Sequence, residues 1–268
     1  MRGCTRWSVR WNRSVVLSVP EALRDWQRFA YDQDLARWAQ AADRVCTQVL
    51  EDPAQAGQYR YGNSWFVGVD ALPNAADGSI SGVPLAGAAV TAVAQCRWHR
   101  AQLSVTFPGY PQPMAGESES QHRFRVTRDA AHVDGLLPIG RDRRRHLIEP
   151  HAFILGLPLN AVAESPLVVW DGSARILHAA FTKALAAHPP ENWSQIDLTE
   201  TYQLARRRCF ETCARVPLLA KPGEALLLHR LSLHGVAPWS GTAPCPQGRR
   251  IAYFRPQLTH PGDWLALT

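Results

Sequence analysis

The stretch HAFILGLPLNAVAESPLVVWDGS, residues 151–173, decides the fold class. It holds two short apolar runs, HAFILGLPL and LVVWDG, parted by a polar segment with Asn160, Glu164, Ser165 and Pro166. Runs of this length between turn-forming residues read as strands rather than helices. The same texture extends outward from Trp65, through WFVGV (65–69) and QLSVTF (102–107) on one side and EALLLH (224–229) and RIAYFRP (250–256) on the other. This rhythm predicts a mainly β core, a sandwich or barrel, over about residues 65–257. Two helical interruptions are expected, ILHAAFTKALAAH (176–188) and LTETYQLARRRCFETC (198–213), the second with Thr199 as its N-cap. Residues 20–52 place Leu23, Trp26, Phe29 and Ala30, then Leu35, Trp38 and Val45, at helical spacings. They predict two amphipathic helices between Pro20 and Pro53, within an N-terminal helical elaboration over residues 1–60. With no internal repeat, low-complexity segment or linker, residues 1–268 read as a single domain.

Chemistry-bearing residues narrow the function. Neither phosphate-cradling loop, GxGxxG or GxxxxGK[ST], occurs, nor a GxSxG nucleophile. Histidine and carboxylate remain. In Ala131-His132-Val133-Asp134-Gly135, side chains at i and i+2 of an extended strand point to one side, so His132 and Asp134 can present an imidazole and a carboxylate to one point. The segment GEALLLHRLSLHGVAPW offers His229 and His234 as a third ligand. Five positions apart on one strand, they would face opposite ways, and His234 is preferred because Gly235 lets the backbone turn away beside it. Two histidines and one carboxylate leave coordination positions open, the set associated with oxygen-activating non-haem Fe(II). Farther on stands Arg249-Arg250-Ile251-Ala252-Tyr253-Phe254, and a guanidinium suits bidentate capture of a carboxylate.

On these residues the chain resembles the phytanoyl-CoA dioxygenase family of Fe(II)/2-oxoglutarate-dependent oxygenases. The resemblance spans roughly residues 100–257 and rests on His132-Val133-Asp134, on 151–173, on the turn Lys221-Pro222-Gly223-Glu224-Ala225 leading to Leu233-His234-Gly235, and on the Arg249 strand. Ala174 stands where the family often has histidine. The resemblance implies a double-stranded β-helix (jelly roll), Fe(II) held by His132, Asp134 and His234, and 2-oxoglutarate with its far carboxylate on Arg249. It also implies O2-dependent hydroxylation of a small organic or acyl substrate, with release of succinate and CO2. Strand alternation lets only one of Arg249 and Arg250 face inward, and Arg249 is the expected anchor. Gln102 and Ser104 share a face of their strand and are expected to help hold the co-substrate.

Competing sites exist. Glu149 and His151 share a strand face and His146 lies near them, a conceivable cupin-like or zinc site, or else a strand entrance with Glu149 paired to the nearby arginines. Trp239 is expected near the pocket mouth. An inactive jelly-roll binding or sensor module is the non-enzymatic alternative. The net charge of +6 could mark a nucleic-acid partner, but the basic residues are scattered apart from Arg141, Arg143, Arg144 and Arg145, so none is expected. No apolar run approaches the roughly 20 residues of a membrane span, and Arg6, Arg10 and Arg13 interrupt the first twenty residues, so neither a membrane segment nor a signal peptide is expected. Six cysteines without a CxxC pair fit reduced thiols in the cytoplasm. Cys209 and Cys213, four apart, are expected to share a helix face as ordinary thiols.

Overall fold

The computed structural model describes residues 24–93, 97–242 and 244–266. The expectations for residues 1–20, Leu23, Cys4 and Cys96 lie outside these ranges. No helix among the described residues is long and apolar enough to cross a membrane.

The first element, β1 (Trp26–Phe29), corrects the first of the two expected N-terminal helices. Trp26 and Phe29 would share a face of a helix, but a strand turns them to opposite faces. Trp26 packs into the cluster between the sheets and Phe29 into the one outside. One helix follows, α1 (Gln33–Glu51). Asp32 caps it, accepting from the amides of Asp34 (2.9 Å) and Leu35 (3.2 Å), and Pro53 follows its end.

The remaining strands are β2 (Tyr59–Arg60), β3 (Trp65–Gly68), β4 (Gln102–Thr106), β5 (Leu136–Ile139), β6 (Arg144–Leu147), β7 (Phe153–Pro158), β8 (Leu167–Asp171), β9 (Ala214–Leu218), β10 (Ala225–His229), β11 (His234–Val236) and β12 (Arg249–Phe254). Short α2 (Ala88–Ala92) and α3 (Glu119–Thr127) flank β4; α4 (Ser173–Leu185) and α5 (Thr199–Thr212) lie between β8 and β9. Thr199 is the first helical residue rather than the cap: the Asp197 carboxylate, two residues earlier, accepts from both its amide (2.9 Å) and its hydroxyl (2.6 Å).

A seven-stranded sheet has the order β1-β10-β7-β12-β4-β3-β2 and a three-stranded sheet the order β11-β8-β9, with a β5-β6 hairpin apart from both. A bridge between His132 and His234 extends the small sheet. From β4 the chain visits large, small, large, small, small, large, small and large sheet in turn, through β4, His132, β7, β8, β9, β10, β11 and β12. That alternation is the winding of a double-stranded β-helix, with antiparallel pairing throughout both sheets.

Both sheets are covered on their outer faces. Leu35, Trp38, Ala42 and Cys46 of α1 pack on Leu103, Leu155, Ala252 and Phe254 of the large sheet, while Leu177, Phe181, Tyr202 and Cys209 cover Val168 and Trp170 of the small one. Between the sheets, Ile154, Leu167, Val169, Leu226, Leu228, Ile251 and Tyr253 form an inner cluster. In β12, Ile251 and Tyr253 face this interior and Ala252 and Phe254 face α1, so the strand period of two settles which arginine looks inward.

Candidate metal centre

His132 lies at the bridge, where its amide donates to the His234 carbonyl (2.8 Å) and the His234 amide donates back (3.0 Å). This reciprocal pair places the two rings 4.7 Å apart between centroids. Asp134 sits in the turn immediately after, not on a continued strand, and Gly135 completes that turn at φ +87°. A Cβ on Gly135 would meet the Glu149 carbonyl at 2.3 Å, so only glycine fits. Contrary to the expectation from sequence, His229 and His234 do not share a strand. They lie on β10 and β11, in different sheets, because the chain crosses over between them. Gly235 also has a different reason from the expected one: a Cβ there would meet the Asp129 carbonyl at 2.1 Å, so it permits close backbone packing rather than a turn away.

One ligand atom from each of His132, Asp134 and His234 lies within 4.8 Å of the others. Asp134 Oδ1 is 3.2 Å from His132 Nε2 and 3.8 Å from His234 Nε2. The far nitrogens are engaged, His132 Nδ1 with the Ala130 carbonyl (3.1 Å) and His234 Nδ1 with that of Ser232 (2.9 Å). Those carbonyls accept the Nδ1 protons, which leaves both Nε2 lone pairs aimed at Asp134, the tautomers a metal requires. Burial pushes His234 down to about 4, which keeps it neutral and ligating near pH 7. Burial alone would raise the Asp134 carboxyl, but the polar surroundings, with the guanidinium charge of Arg255 among them, hold it well below its ordinary value. The donor set fits a divalent transition metal. Asp134 and His234 are buried and the His132 side chain is half-exposed, so the centre opens on the His132 side.

Arg249 is buried on the inward face of β12, across the β4 pairing from Thr106. Among the described residues it makes no ion pair with a carboxylate. The Tyr253 hydroxyl lies beside its guanidinium, without hydrogen-bond geometry to it, and both the Tyr253 hydroxyl and Thr106 Oγ1 are buried without a partner. A buried guanidinium flanked by two unpartnered hydroxyls is costly unless a ligand completes it, and its chemistry suits a carboxylate. Arg250 points the other way, to the Asp43 carboxylate and the Thr47 hydroxyl on α1, each at 2.9 Å. Gln102 and Ser104 lie opposite Tyr253 and Ile251 and share their inward face. Neither is free: Ser104 Oγ accepts from Trp65 Nε1 (2.9 Å), and Gln102 Oε1 accepts from Arg255 Nη2.

The competing cluster does not assemble. His146 Nδ1 engages the Ser194 carbonyl at 3.1 Å, while Glu149 Oε2 stands 3.7 Å from His151 Nε2. The nearby arginines do not pair with Glu149: Arg144 binds Asp197, and Arg145 reaches the Leu136 carbonyl. His151 is buried, and its Nδ1 engages the Arg255 carbonyl at 3.0 Å. Trp239 donates its amide to the Tyr110 carbonyl (2.7 Å), with its Nε1 buried and unpartnered. Sequence reasoning passed over Thr106, Tyr253 and Arg255, although the period of two from Arg249 runs through Ile251 and Tyr253 to Arg255.

No sequence family matches this chain, and no curated protein does either. Among solved structures, it is similar to the non-haem alpha-ketoglutarate-dependent carbocyclase SnoK from nogalamycin biosynthesis, at 13% identity and a TM-score of 0.45, over 90% of this chain and 85% of that one. It is also similar to EctD from S. alaskensis, in a structure with 2-oxoglutarate and 5-hydroxyectoine, at 15% identity and a TM-score of 0.42, over 92% and 78% of the two chains. Asparagine oxygenase (AsnO) matches at 17% identity and a TM-score of 0.32, over 84% and 91%.

Proposed function

We propose that the protein is an Fe(II)- and 2-oxoglutarate-dependent dioxygenase that hydroxylates a small organic or acyl substrate. The observation that carries this reading is the convergence of His132, Asp134 and His234 on one point that opens on the His132 side of a jelly roll. His132 and His234 would each give Nε2 and Asp134 one oxygen, leaving the remaining positions for co-substrate and O2. Arg249 would hold the far carboxylate of 2-oxoglutarate, with Thr106 and Tyr253 donating to it. Bound there, Fe(II) and 2-oxoglutarate supply oxygen activation, with the co-substrate oxidised to succinate and CO2 as a substrate C–H becomes C–OH. The chain's own part is to keep the His234 imidazole neutral and both rings aimed, to keep Asp134 ionised, and to shield the Arg249 end from water behind Trp65 and the inner cluster. Within this class, His132-Val133-Asp134 and Leu233-His234-Gly235 favour the phytanoyl-CoA dioxygenase family. The reading extends to a reducing compartment, the cytoplasm, since Cys46, Cys209, Cys213 and Cys245 are free thiols in the fold.

The test is anaerobic titration of the purified protein with Fe(II) and 2-oxoglutarate, followed by the visible charge-transfer band of the chelate. The band is expected in the wild type and absent in His132→Ala, Asp134→Ala and His234→Ala, all three still folded. A wild type that binds no Fe(II) overturns the reading.

A further inference from the structure

The two oxygens of Asp134 have different surroundings. Oδ1 faces the two imidazole Nε2 atoms, at 3.2 and 3.8 Å. Oδ2 accepts from Arg255 Nη1 at 3.2 Å. Arg255 is itself held from several sides. Its Nη2 donates to Gln102 Oε1, its amide donates to His99 Nε2 (2.7 Å), and its carbonyl accepts from His151 Nδ1 (3.0 Å). The reach of Gln102 follows from sheet register: it pairs with Tyr253, two residues before Arg255, and diagonal neighbours on one face lie within reach of long side chains. The guanidinium therefore bridges a rigid β4 side chain and one chosen oxygen of the ligand carboxylate.

We infer that Arg255, anchored by Gln102, is the positioning residue that makes Asp134 a one-oxygen ligand. This rests on the metal-centre reading above and goes beyond it. A carboxylate free to swing binds a divalent metal through either one or two oxygens. With Oδ2 engaged by a guanidinium, only Oδ1 is presented to the point where the two histidines converge. Two nitrogens and one oxygen fill three positions of an octahedral metal, leaving three, the number a chelating co-substrate and O2 together need. A second Asp134 oxygen would take one of them. Arg255 has a further consequence: without a metal, it compensates a carboxylate whose side chain is only 7% exposed, so the site is kept assembled before the ion arrives.

Co(II) is the probe, because its visible d–d bands report coordination number without turnover. Wild type, H132A, R255M, R255K and Q102L are titrated anaerobically with Co(II) alone, and affinity and band shape are read together. R255M is expected to bind about 10- to 100-fold more weakly, with altered bands as Oδ2 becomes free to coordinate. R255K, which retains a charged donor, is expected to recover part of the loss, and Q102L to shift both readouts the same way by less. Removing a cation beside a dication favours binding, so R255M that binds Co(II) as tightly as wild type or more tightly, with unchanged bands, overturns the inference. If R255M does not fold, Q102L decides, and unchanged affinity and bands there overturn it. Wild type that fails to bind Co(II) overturns the metal-centre reading instead, whereas binding lost in H132A but unaltered in R255M leaves that reading standing and removes only the role of Arg255.

Discussion

Arg249 and Arg250 are neighbours with opposite duties, because a strand sends consecutive side chains to opposite faces. Arg249→Met is expected to raise the 2-oxoglutarate concentration needed for half-saturation, read by the charge-transfer titration, with little change in folding stability. Arg250→Met is expected to leave that titration unchanged and to cost about 2 kcal/mol in urea unfolding, through its bonds to Asp43 and Thr47 on α1. The reverse ranking would move the co-substrate role one residue along. Cysteines separate by the same local logic. Burial pushes both the Cys46 and Cys209 thiols up to about 12, so native alkylation near pH 8 is expected to spare both and, among the described cysteines, to modify Cys245 first. Labelling of Cys46 at the rate of an unfolded control would contradict its packing under α1.

At the scale of elements, the turn into α4 is held by a residue distant in the chain. The N-terminus of α4 is served by Asp25, from just before β1. Its carboxylate accepts from the Gly172 amide (2.7 Å), the Ser173 hydroxyl (2.6 Å) and the Ala174 amide (2.9 Å). Ser173 Oγ accepts from the Leu233 amide (2.9 Å), and the Asp25 carbonyl accepts from Ser232 Oγ (2.6 Å), so one residue braces both α4 and the turn that delivers His234. Asp25→Ala is expected to lower stability by about 2–4 kcal/mol, since it strands three buried donors. Asp25→Asn should cost less, because burial pushes the Asp25 carboxyl up and the amide keeps one acceptor while removing the charge. Equal urea midpoints for wild type and D25A would remove this brace. Nothing local in the sequence announces it: Asp25 and Ser173 are far apart in the chain, and only the pairing of β1 with β10 brings Asp25 to α4.

For the whole molecule, a desolvated histidine shapes the response to acid. Desolvation, with the charge of Arg230 nearby, takes His229 down to about 3 from an ordinary 6.5, and its Nδ1 accepts from the Leu231 amide at 3.1 Å. The folded pKa lies below the unfolded one, so the unfolded chain takes up the proton first. This contribution to stability is complete above about pH 6.5 and is lost as pH falls toward 3. By that linkage His229 alone accounts for about 2 kcal/mol near pH 5. Urea unfolding at pH 7.5 and 5 is expected to show the drop in wild type and a smaller drop in His229→Gln; equal drops would exclude His229 as its source. Short apolar runs between turn-forming residues made the strands of the jelly roll legible, since run length and turn chemistry are local properties of the sequence. The strand period of two pointed to Arg249 once the inward face of β12 was known, and it singled out His132 with Asp134, although a turn rather than a continued strand brings Asp134 to His132. Helical spacing misled at Trp26 and Phe29, because a short segment carries both readings and an open sheet edge chose between them. The sequence by itself determined the strand content, the ligand types and the candidate triad. Only the tertiary structure decided that β10 and β11 part into different sheets, that Arg255 grips one oxygen of Asp134, and that Asp25 reaches α4. Those contacts join residues distant in the chain, and they arise from sheet register and packing, which no local period encodes.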